Sequence, residues 1–136
     1  MRTQIREEQE VTLDLSVYKA LYLREARSFL ATLRQTLVCL QDDLTDPEAL
    51  HQAHRAAHTL KGMSSTMRYE ALTALGLSME EPLAQADQAE SPLLLVSEQV
   101  DALVARCDEF EAGLDRLEAA EKLVAGDQDL RPKNAD

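Results

Sequence analysis

The chain has 136 residues and a formal net charge of −11, and its pI is near 4.6. A chain this acidic repels a phosphate backbone, so we expect no nucleic-acid partner. Aromatic residues make up only 4 % of the sequence and Gly and Pro number four each, a composition that favours helix over sheet in one domain with its own core.

Residues 1–14 are polar and charged with no sustained period, which predicts a flexible leader. They include no apolar run of the kind found in signal peptides. The first helix is predicted to begin near Leu15 or Ser16. From there apolar residues recur three and four positions apart, as on one buried helical stripe, at Tyr18, Tyr22, Ala26, Phe29, Leu33, Leu37, Leu40 and Leu44.

A second helix is predicted to open at Pro47, because Asp46 can cap its free amides and Pro is favoured at the first helical position. Its mostly small apolar residues form one stripe. A second stripe is displaced from it by roughly 100° around the axis, at His51, His54, His58, Lys61 and Ser65. His58 is thus predicted at the border of the buried face, held by the bundle and reachable from outside.

The third helix is predicted after a short break at Arg68 and Tyr69. Its stripe consists of Leu72, Leu75, Met79, Leu83 and Ala86. Because the break is short, this helix should run antiparallel to the second. Gly76 and Pro82 both disfavour helix, so a bend or a weakened turn is predicted between Ser78 and Pro82.

The fourth helix is predicted to open at Ser91 and Pro92, which repeat the cap-then-proline pattern. Strict four-three spacing follows at Val96, Val100, Leu103, Cys107, Phe110, Leu114 and Leu117. Such spacing is typical of antiparallel bundles. Gly126 is a predicted stop, and residues 126–136 read as a linker or disordered tail.

These patterns predict an all-α fold, an antiparallel up-down-up-down four-helix bundle over residues 15–125, with room for a short extra helix near the C-terminus. The longest apolar run, Leu93 to Val96, is too short to span a bilayer, so no membrane insertion is expected. Cys39 and Cys107 fit no metal-ligand pattern and lie among apolar residues, which favours a reducing cytoplasm.

His58 carries the most specific chemistry in the sequence. Lys61 and Gly62 follow it by three and four positions and share its helix face. A neutral imidazole is a nucleophile near pH 7, an ammonium group would sit beside any anion that it attacks, and glycine leaves the face beside the ring bare. Glu80 and Glu81 lie at the matching height of the third helix, where a carboxylate could accept a hydrogen bond from Nδ1–H and leave Nε2 free. This pattern suits a histidine that receives a phosphoryl group from one protein and gives it to another.

Two other interpretations compete with that one. A single histidine on a helix is more often structural or merely exposed, and glutamates on a helix usually form a solvated face. Alternatively, His51 and His54, or His54 and His58, could hold one metal ion, with a third ligand from another helix. The sequence has no phosphate-binding loop and no kinase motif, so any phosphoryl donor would be another domain or protein.

The run from Arg55 to Met67, Arg-Ala-Ala-His-Thr-Leu-Lys-Gly-Met-Ser-Ser-Thr-Met, strongly resembles the histidine phosphotransfer domain of CheA-type chemotaxis kinases. The resemblance extends over roughly Val17 to Leu117. It implies a histidine that is phosphorylated by the ATP-binding domain of a histidine kinase and then passes the phosphoryl group to an aspartate of a response-regulator receiver domain. ATP and magnesium would come from those partners, and the chain itself would hold no cofactor and no metal.

Carried over by position, the resemblance makes His58 the phosphorylated residue, Lys61 the cation that neutralises phosphoryl charge, and Glu80 the carboxylate that orients the imidazole. A partner-docking face is expected from the neighbouring residues Arg55, Gly62 and Ser65. On its own the chain would be a phosphocarrier and not an enzyme. The alternative is a degenerate helical docking module that binds signalling partners without phosphotransfer, and a metal-binding bundle comes third.

Four positions depart from the family pattern. Leu77 stands where a second histidine is common, three residues before Glu80, and Arg68 replaces the usual glycine of the turn. His54 stands where an aromatic residue is frequent, and Pro82 interrupts the third helix just after Glu80. These changes bear on tautomer control and transfer rate more than on the fold.

Overall fold

The computed structural model describes the backbone of residues 2–88 and 95–135 and the side chains of residues 15–88 and 95–120. The described residues form four α-helices: α1 (Arg2–Asp42), α2 (Pro47–Thr66), α3 (Glu70–Gln88) and α4 (Ser97–Ala135). They contain no strand and no fifth helix, and the predicted all-α fold is confirmed. Within this part of the chain, no helix combines the length and the apolar character that crossing a membrane requires.

The helices form a ring in which each contacts its neighbours along the chain and α1 also contacts α4. Ion pairs show that α1 and α4 run antiparallel. Arg27 lies 2.9 Å from Asp115, whereas Arg34, further along α1, lies 2.8 Å from Asp108, which is earlier in α4. Exposed pairs of this kind add little stability, but they report the direction of the two helices. The up-down-up-down topology is as predicted.

The core is built from the stripes that the sequence predicts. Among its buried members are Tyr22, Ala26, Leu33, Leu37 and Leu40 of α1 and Val100, Leu103, Cys107, Phe110 and Leu114 of α4. At the edges of these stripes Tyr18 and Val96 are exposed, and Phe29 and Leu44 are only partly buried. The buried face of α2 is mostly alanine, so its neighbours can approach its backbone closely.

One buried polar pair joins α1 to α2. The Ser64 hydroxyl donates to the Leu60 carbonyl oxygen at 2.8 Å, so it accepts its second hydrogen bond from the Tyr22 hydroxyl, also at 2.8 Å. Burial raises the pKa of Tyr22, and the hydrogen bond with Ser64 opposes that rise only in part. Both buried oxygens therefore have partners, and the pair fixes how α1 lies against the last turns of α2.

The first turn of α2 confirms the predicted cap. One Asp46 carboxylate oxygen accepts hydrogen bonds from the backbone N–H groups of Glu48 and Ala49, each at 3.1 Å, and Pro47 occupies the first helical position. These bonds satisfy two of the amides that a helix start leaves free.

The end of α2 is closed by two backbone hydrogen bonds. Tyr69 N–H donates to the Ser64 carbonyl oxygen and Arg68 N–H donates to the Ser65 carbonyl oxygen, each at 3.0 Å. This cap needs a left-handed residue, and Arg68 supplies it with φ of 62°. Glycine adopts that conformation without steric cost, whereas arginine does not.

Two helix boundaries differ from the prediction. α1 begins at Arg2 and not near Leu15, and α4 continues through Gly126 to Ala135. The early residues of α1 include several Glu and Gln, which are good helix formers, so a helix can form where the sequence shows no apolar period. A single glycine costs only about 1 kcal/mol in a helix and does not have to end it. The domain limits 15–125 stay a prediction.

Pro82 lies inside α3, and Pro92 precedes α4 in the sequence. α3 is continuous from Glu70 to Gln88 with Pro82 inside it, although proline gives the carbonyl of Ser78 no N–H partner. The predicted start of α4 at Ser91 and Pro92 lies outside the described residues, and the helix that the structure describes begins at Ser97.

Candidate functional site

His58 lies on the exposed side of α2 next to the fully buried Ala57, at the border position that the two stripes predict. Its side chain is 64 % exposed, and its Nδ1 lies 3.0 Å from Oε1 of Glu80 on α3. The structure thus selects Glu80 and not the exposed Glu81 as the carboxylate that meets the ring.

The Glu80 contact fixes the tautomer of the imidazole. An ionised carboxylate can only accept a hydrogen bond, so Nδ1 carries the proton and Nε2 keeps its lone pair. No described residue donates to or accepts from Nε2 of His58. The free nitrogen is therefore the one that an incoming electrophile meets.

Lys61 lies one turn further along α2 and contacts the same carboxylate. Its Nζ is 2.8 Å from Oε2 of Glu80. That oxygen is buried and has no well-aligned hydrogen bond in the described part of the chain, so the ammonium serves it as an ion-pair partner. We call His58, Lys61 and Glu80 the His58 triad.

The charge state of Glu80 follows from these contacts. Its side chain is only 14 % exposed, and partial burial by itself would raise the pKa of the carboxyl. The ion pair with Lys61 and the hydrogen bond from His58 outweigh burial, and the net effect lowers the pKa of Glu80. The carboxylate is therefore ionised at neutral pH and able to orient the ring.

Gly76 brings α3 close enough for this triad to form, which the sequence analysis did not foresee. A Cβ at Gly76 would lie 2.9 Å from Cα of Lys61 and 3.1 Å from its Cβ, closer than packed side chains tolerate. The missing side chain allows the α3 backbone to rest against α2 at the lysine. A signal was present, since Gly76 falls between Leu72 and Met79 at the spacing of the buried stripe.

The three residues of the expected docking face, Arg55, Gly62 and Ser65, are all exposed on α2. Nothing lies within 4 Å of a Cβ built at Gly62, so the space beside His58 is open. Arg55 lines a shallow groove between α2 and α1 together with Phe29 and Thr59. All three residues are thus accessible on the helix that carries the imidazole, and the partner-docking face stays a prediction.

The departures from the family pattern also have clear positions. Leu77 is an exposed apolar side chain on α3, and it can give no hydrogen bond to the His58 triad. Arg68 is the left-handed residue of the α2 cap. His54 is mostly buried and faces α3 rather than solvent, with its Nδ1 2.8 Å from Oδ2 of Asp87.

His51 contacts the same Asp87 oxygen, with its Nδ1 at 3.0 Å. We call His51, His54 and Asp87 the His51 triad. Burial by itself would raise the pKa of Asp87, but hydrogen bonds from the two histidines outweigh it, and the pKa is lowered. His58 is turned to a different carboxylate, and the described residues contain no group of three or more ligands arranged for a metal ion. The sequence pattern pairs these histidines only with one another, and the contact with Asp87 is not predicted by it.

Comparison with known proteins gives consistent results. The family model described as Hpt domain matches residues 17–131. The chain is 36 % identical over 106 residues to a protein named chemotaxis protein CheA from Bacillus subtilis, and 30 % identical over 102 residues to one of the same name from Halobacterium salinarum. These alignments cover 78 % and 75 % of the chain but 14 % and 15 % of the relatives, so the chain spans about one seventh of their length.

A solved structure shares the fold. The CheA phosphotransferase domain from Thermotoga maritima superposes with a TM-score of 0.68 at 30 % sequence identity. The match covers 74 % of this chain and 93 % of that domain. The similarity thus extends over nearly all of the solved domain.

Proposed function

The chain belongs to the Hpt domain family, the histidine phosphotransfer domains, and we propose that His58 is the residue on which it carries the phosphoryl group. One observation carries this proposal. His58 is an exposed imidazole whose Nδ1 is tied to an ionised Glu80, which in turn pairs with Lys61. That arrangement leaves a single nucleophilic nitrogen, Nε2, on an exposed ring, with the Lys61 ammonium held on the same carboxylate.

The chemistry follows from the tautomer. The lone pair on Nε2 of His58 forms a bond to the γ-phosphorus of ATP held by a kinase domain, while the bond from that phosphorus to the bridging oxygen breaks and ADP leaves with the electron pair. The ring gains positive charge and keeps its proton on Nδ1. Glu80 balances that charge, as an oriented carboxylate does for an imidazolium.

Lys61 supplies the second electrostatic element. A phosphoryl group in transfer spreads negative charge over its oxygens, and most of the rate comes from positioning and charge neutralisation. The ammonium is anchored by Glu80 and is three residues from His58 on one helix face. A small swing of the flexible side chain brings it beside the phosphoryl oxygens.

The partners and the open surface fit a carrier. The bare space at Gly62 admits the surface of a second domain beside His58, first the ATP-binding domain of a histidine kinase and then a response-regulator receiver domain whose aspartate takes the phosphoryl group. ATP and magnesium belong to those partners. The chain is then a cytoplasmic phosphocarrier rather than an enzyme, and the relatives favour a parent kinase of the chemotaxis type. The comparisons give no support to a docking module without transfer.

The proposal is tested by labelling. The full chain is incubated with the catalytic core of a CheA-type kinase and γ-labelled ATP, and the His58→Gln variant is treated in parallel with circular dichroism as a fold control. We expect acid-labile, base-stable label on the wild type and a loss of at least roughly 90 % of the initial rate in the variant. An unlabelled wild type, or a variant labelled as fast as the wild type, would contradict the assignment.

A second arm follows the phosphoryl group onward. Labelled wild-type chain is mixed with a receiver domain and magnesium, and label is expected to move from the chain to the receiver. A receiver that binds the chain but takes no label would support the docking-module alternative instead.

A further inference from the structure

The His51 triad repeats the His58 triad at a distance of seven residues. On α2 its two histidines lie seven positions before His58 and Lys61, and on α3 its aspartate lies seven positions after Glu80. Seven residues are about two helical turns and return to within about 20° of the same face. Because α2 and α3 are antiparallel, a residue nearer the start of α2 lies opposite a residue nearer the end of α3. The two triads therefore share one face of the helix pair, about 10 Å apart along the axis.

The exposed histidines of the two triads, His51 and His58, have the same surroundings. Nδ1 of His51 lies 3.0 Å from Asp87, and Nδ1 of His58 lies 3.0 Å from Glu80. The imidazoles are 58 % and 64 % exposed, and the carboxylates are 17 % and 14 % exposed. In each case the carboxylate holds the proton on Nδ1 and leaves Nε2 as the nucleophile. No described residue is a partner of Nε2 of His51.

The second α2 residue of each triad differs, since it is His54 in one and Lys61 in the other. His54 stands at the position of Lys61, with its Nδ1 2.8 Å from the shared Asp87 oxygen and a side chain that is only 16 % exposed. It supports the carboxylate but does not present itself to a large partner. A neutral imidazole gives a phosphoryl group less charge neutralisation than an ammonium does. Arg55 occupies the position of Gly62 but lines the groove on the α1 side, away from the carboxylate.

We propose that His51 is a second phosphoryl-accepting histidine, served by the same ATP-bound kinase domain; this inference rests on the function proposed above. Nε2 of His51 forms the bond to the γ-phosphorus as the bond to the bridging oxygen breaks, and ADP leaves with the electron pair. The ring keeps the proton on Nδ1, and Asp87 balances the charge that the ring gains. The reaction needs no reactant beyond the nucleoside triphosphate on the kinase.

The rate at the second site is expected to be low. Removing one electrostatic group from a transferring centre costs about a hundredfold in rate or more, so His51 should be labelled at on the order of 1 % of the His58 rate. The experiment therefore compares the single variant His58→Gln with the double variant His51→Gln/His58→Gln, both with the kinase core and γ-labelled ATP. Both histidines are exposed, so the substitutions leave the core intact.

Three results are informative. Acid-labile label on His58→Gln that maps to His51 and is absent from the double variant supports the inference. If the wild type is labelled but His58→Gln carries no more label than the double variant, this inference is overturned and the proposed function is not. An unlabelled wild type overturns the proposed function and this inference with it.

The positioning role of Asp87 gives a separate readout. In the His58→Gln background, Asp87→Asn should lower the labelling of His51 by at least tenfold and shift its imidazole ¹⁵N signals away from the pure Nδ1–H tautomer. If Asp87 only ties the two helices together, Asp87→Asn will leave both the label and the tautomer of His51 as they are in the His58→Gln parent, and that result would contradict the positioning role of Asp87.

Discussion

Replacing two glycines on facing helices with alanine should change the free energy of unfolding in opposite directions. At Gly76 on α3 the new methyl group would lie 2.9 Å from Cα of Lys61, and ordinary contact begins at 3.4 Å, so the helices must separate by 3.4 − 2.9 = 0.5 Å. Overpacking of this kind costs about 1 to 3 kcal/mol, and the better helix propensity of alanine returns about 1 kcal/mol. Gly76→Ala is thus expected to destabilise by up to about 2 kcal/mol.

Gly62→Ala is the matched control on α2. Nothing lies within 4 Å of its added methyl group, so only the helix-propensity gain of about 1 kcal/mol remains. Urea denaturation should place the two midpoints on opposite sides of the wild type with unchanged m-values, and thermal midpoints should move by about 4 °C for each kcal/mol.

The same pair of variants separates stability from transfer. Gly62→Ala should be more stable yet slower to accept label, because the methyl group occupies the space that we assign to the partner domain. If both variants move stability in the same direction, the close contact at Gly76 is not the reason for glycine there. If Gly62→Ala is labelled at the wild-type rate, the open space beside His58 has no role in docking.

Three further outcomes are expected. Lys61→Ala should slow phosphorylation by roughly a hundredfold in the kinase assay with an unchanged far-UV spectrum, and a rate within twofold of the wild type would refute its role in neutralising phosphoryl charge. Because the pKa of Glu80 is lowered in the folded state, its contribution to stability is present above its ordinary pKa of 4.5 and is lost as the pH falls below it. Urea midpoints of Glu80→Gln should therefore lie closest to those of the wild type at acid pH, and a gap that does not narrow on acidification would contradict the ion pair. Arg68→Gly should raise the free energy of unfolding by about 1 kcal/mol by relieving a left-handed arginine, whereas Arg68→Ala as a control should not.

The helical bundle could be predicted from the sequence because the buried stripes are regular. Four-three spacing reports which face of a helix is buried, and α4 follows it from Val100 to Leu114. The same pattern does not report where a helix ends. The sequence of residues 2–14 shows no sustained apolar period and their backbone is still helical, since good helix formers can continue a helix that is already nucleated.

The site was predictable along α2 and only in part across to α3. His58, Lys61 and Gly62 share a face by their spacing alone, and the family resemblance singled out Glu80. The contacts of Gly76 and Asp87 depend on the register and separation of two helices, which no local pattern encodes. In the sequence Gly76 is a weakness of α3, yet a Cβ added there would lie only 2.9 Å from Cα of Lys61 in the α2 backbone.

The most direct test of the phosphocarrier assignment is the imidazole ¹H–¹⁵N spectrum of the full chain before and after phosphorylation by the kinase core, with His58→Gln used to assign the His58 signals. Before the reaction we expect His58 to be the Nδ1–H tautomer, held by Glu80. After it we expect the ring to be phosphorylated on Nε2 with the proton still on Nδ1. Phosphorylation on Nδ1, or label on the chain with unchanged His58 signals, would contradict the account of this site.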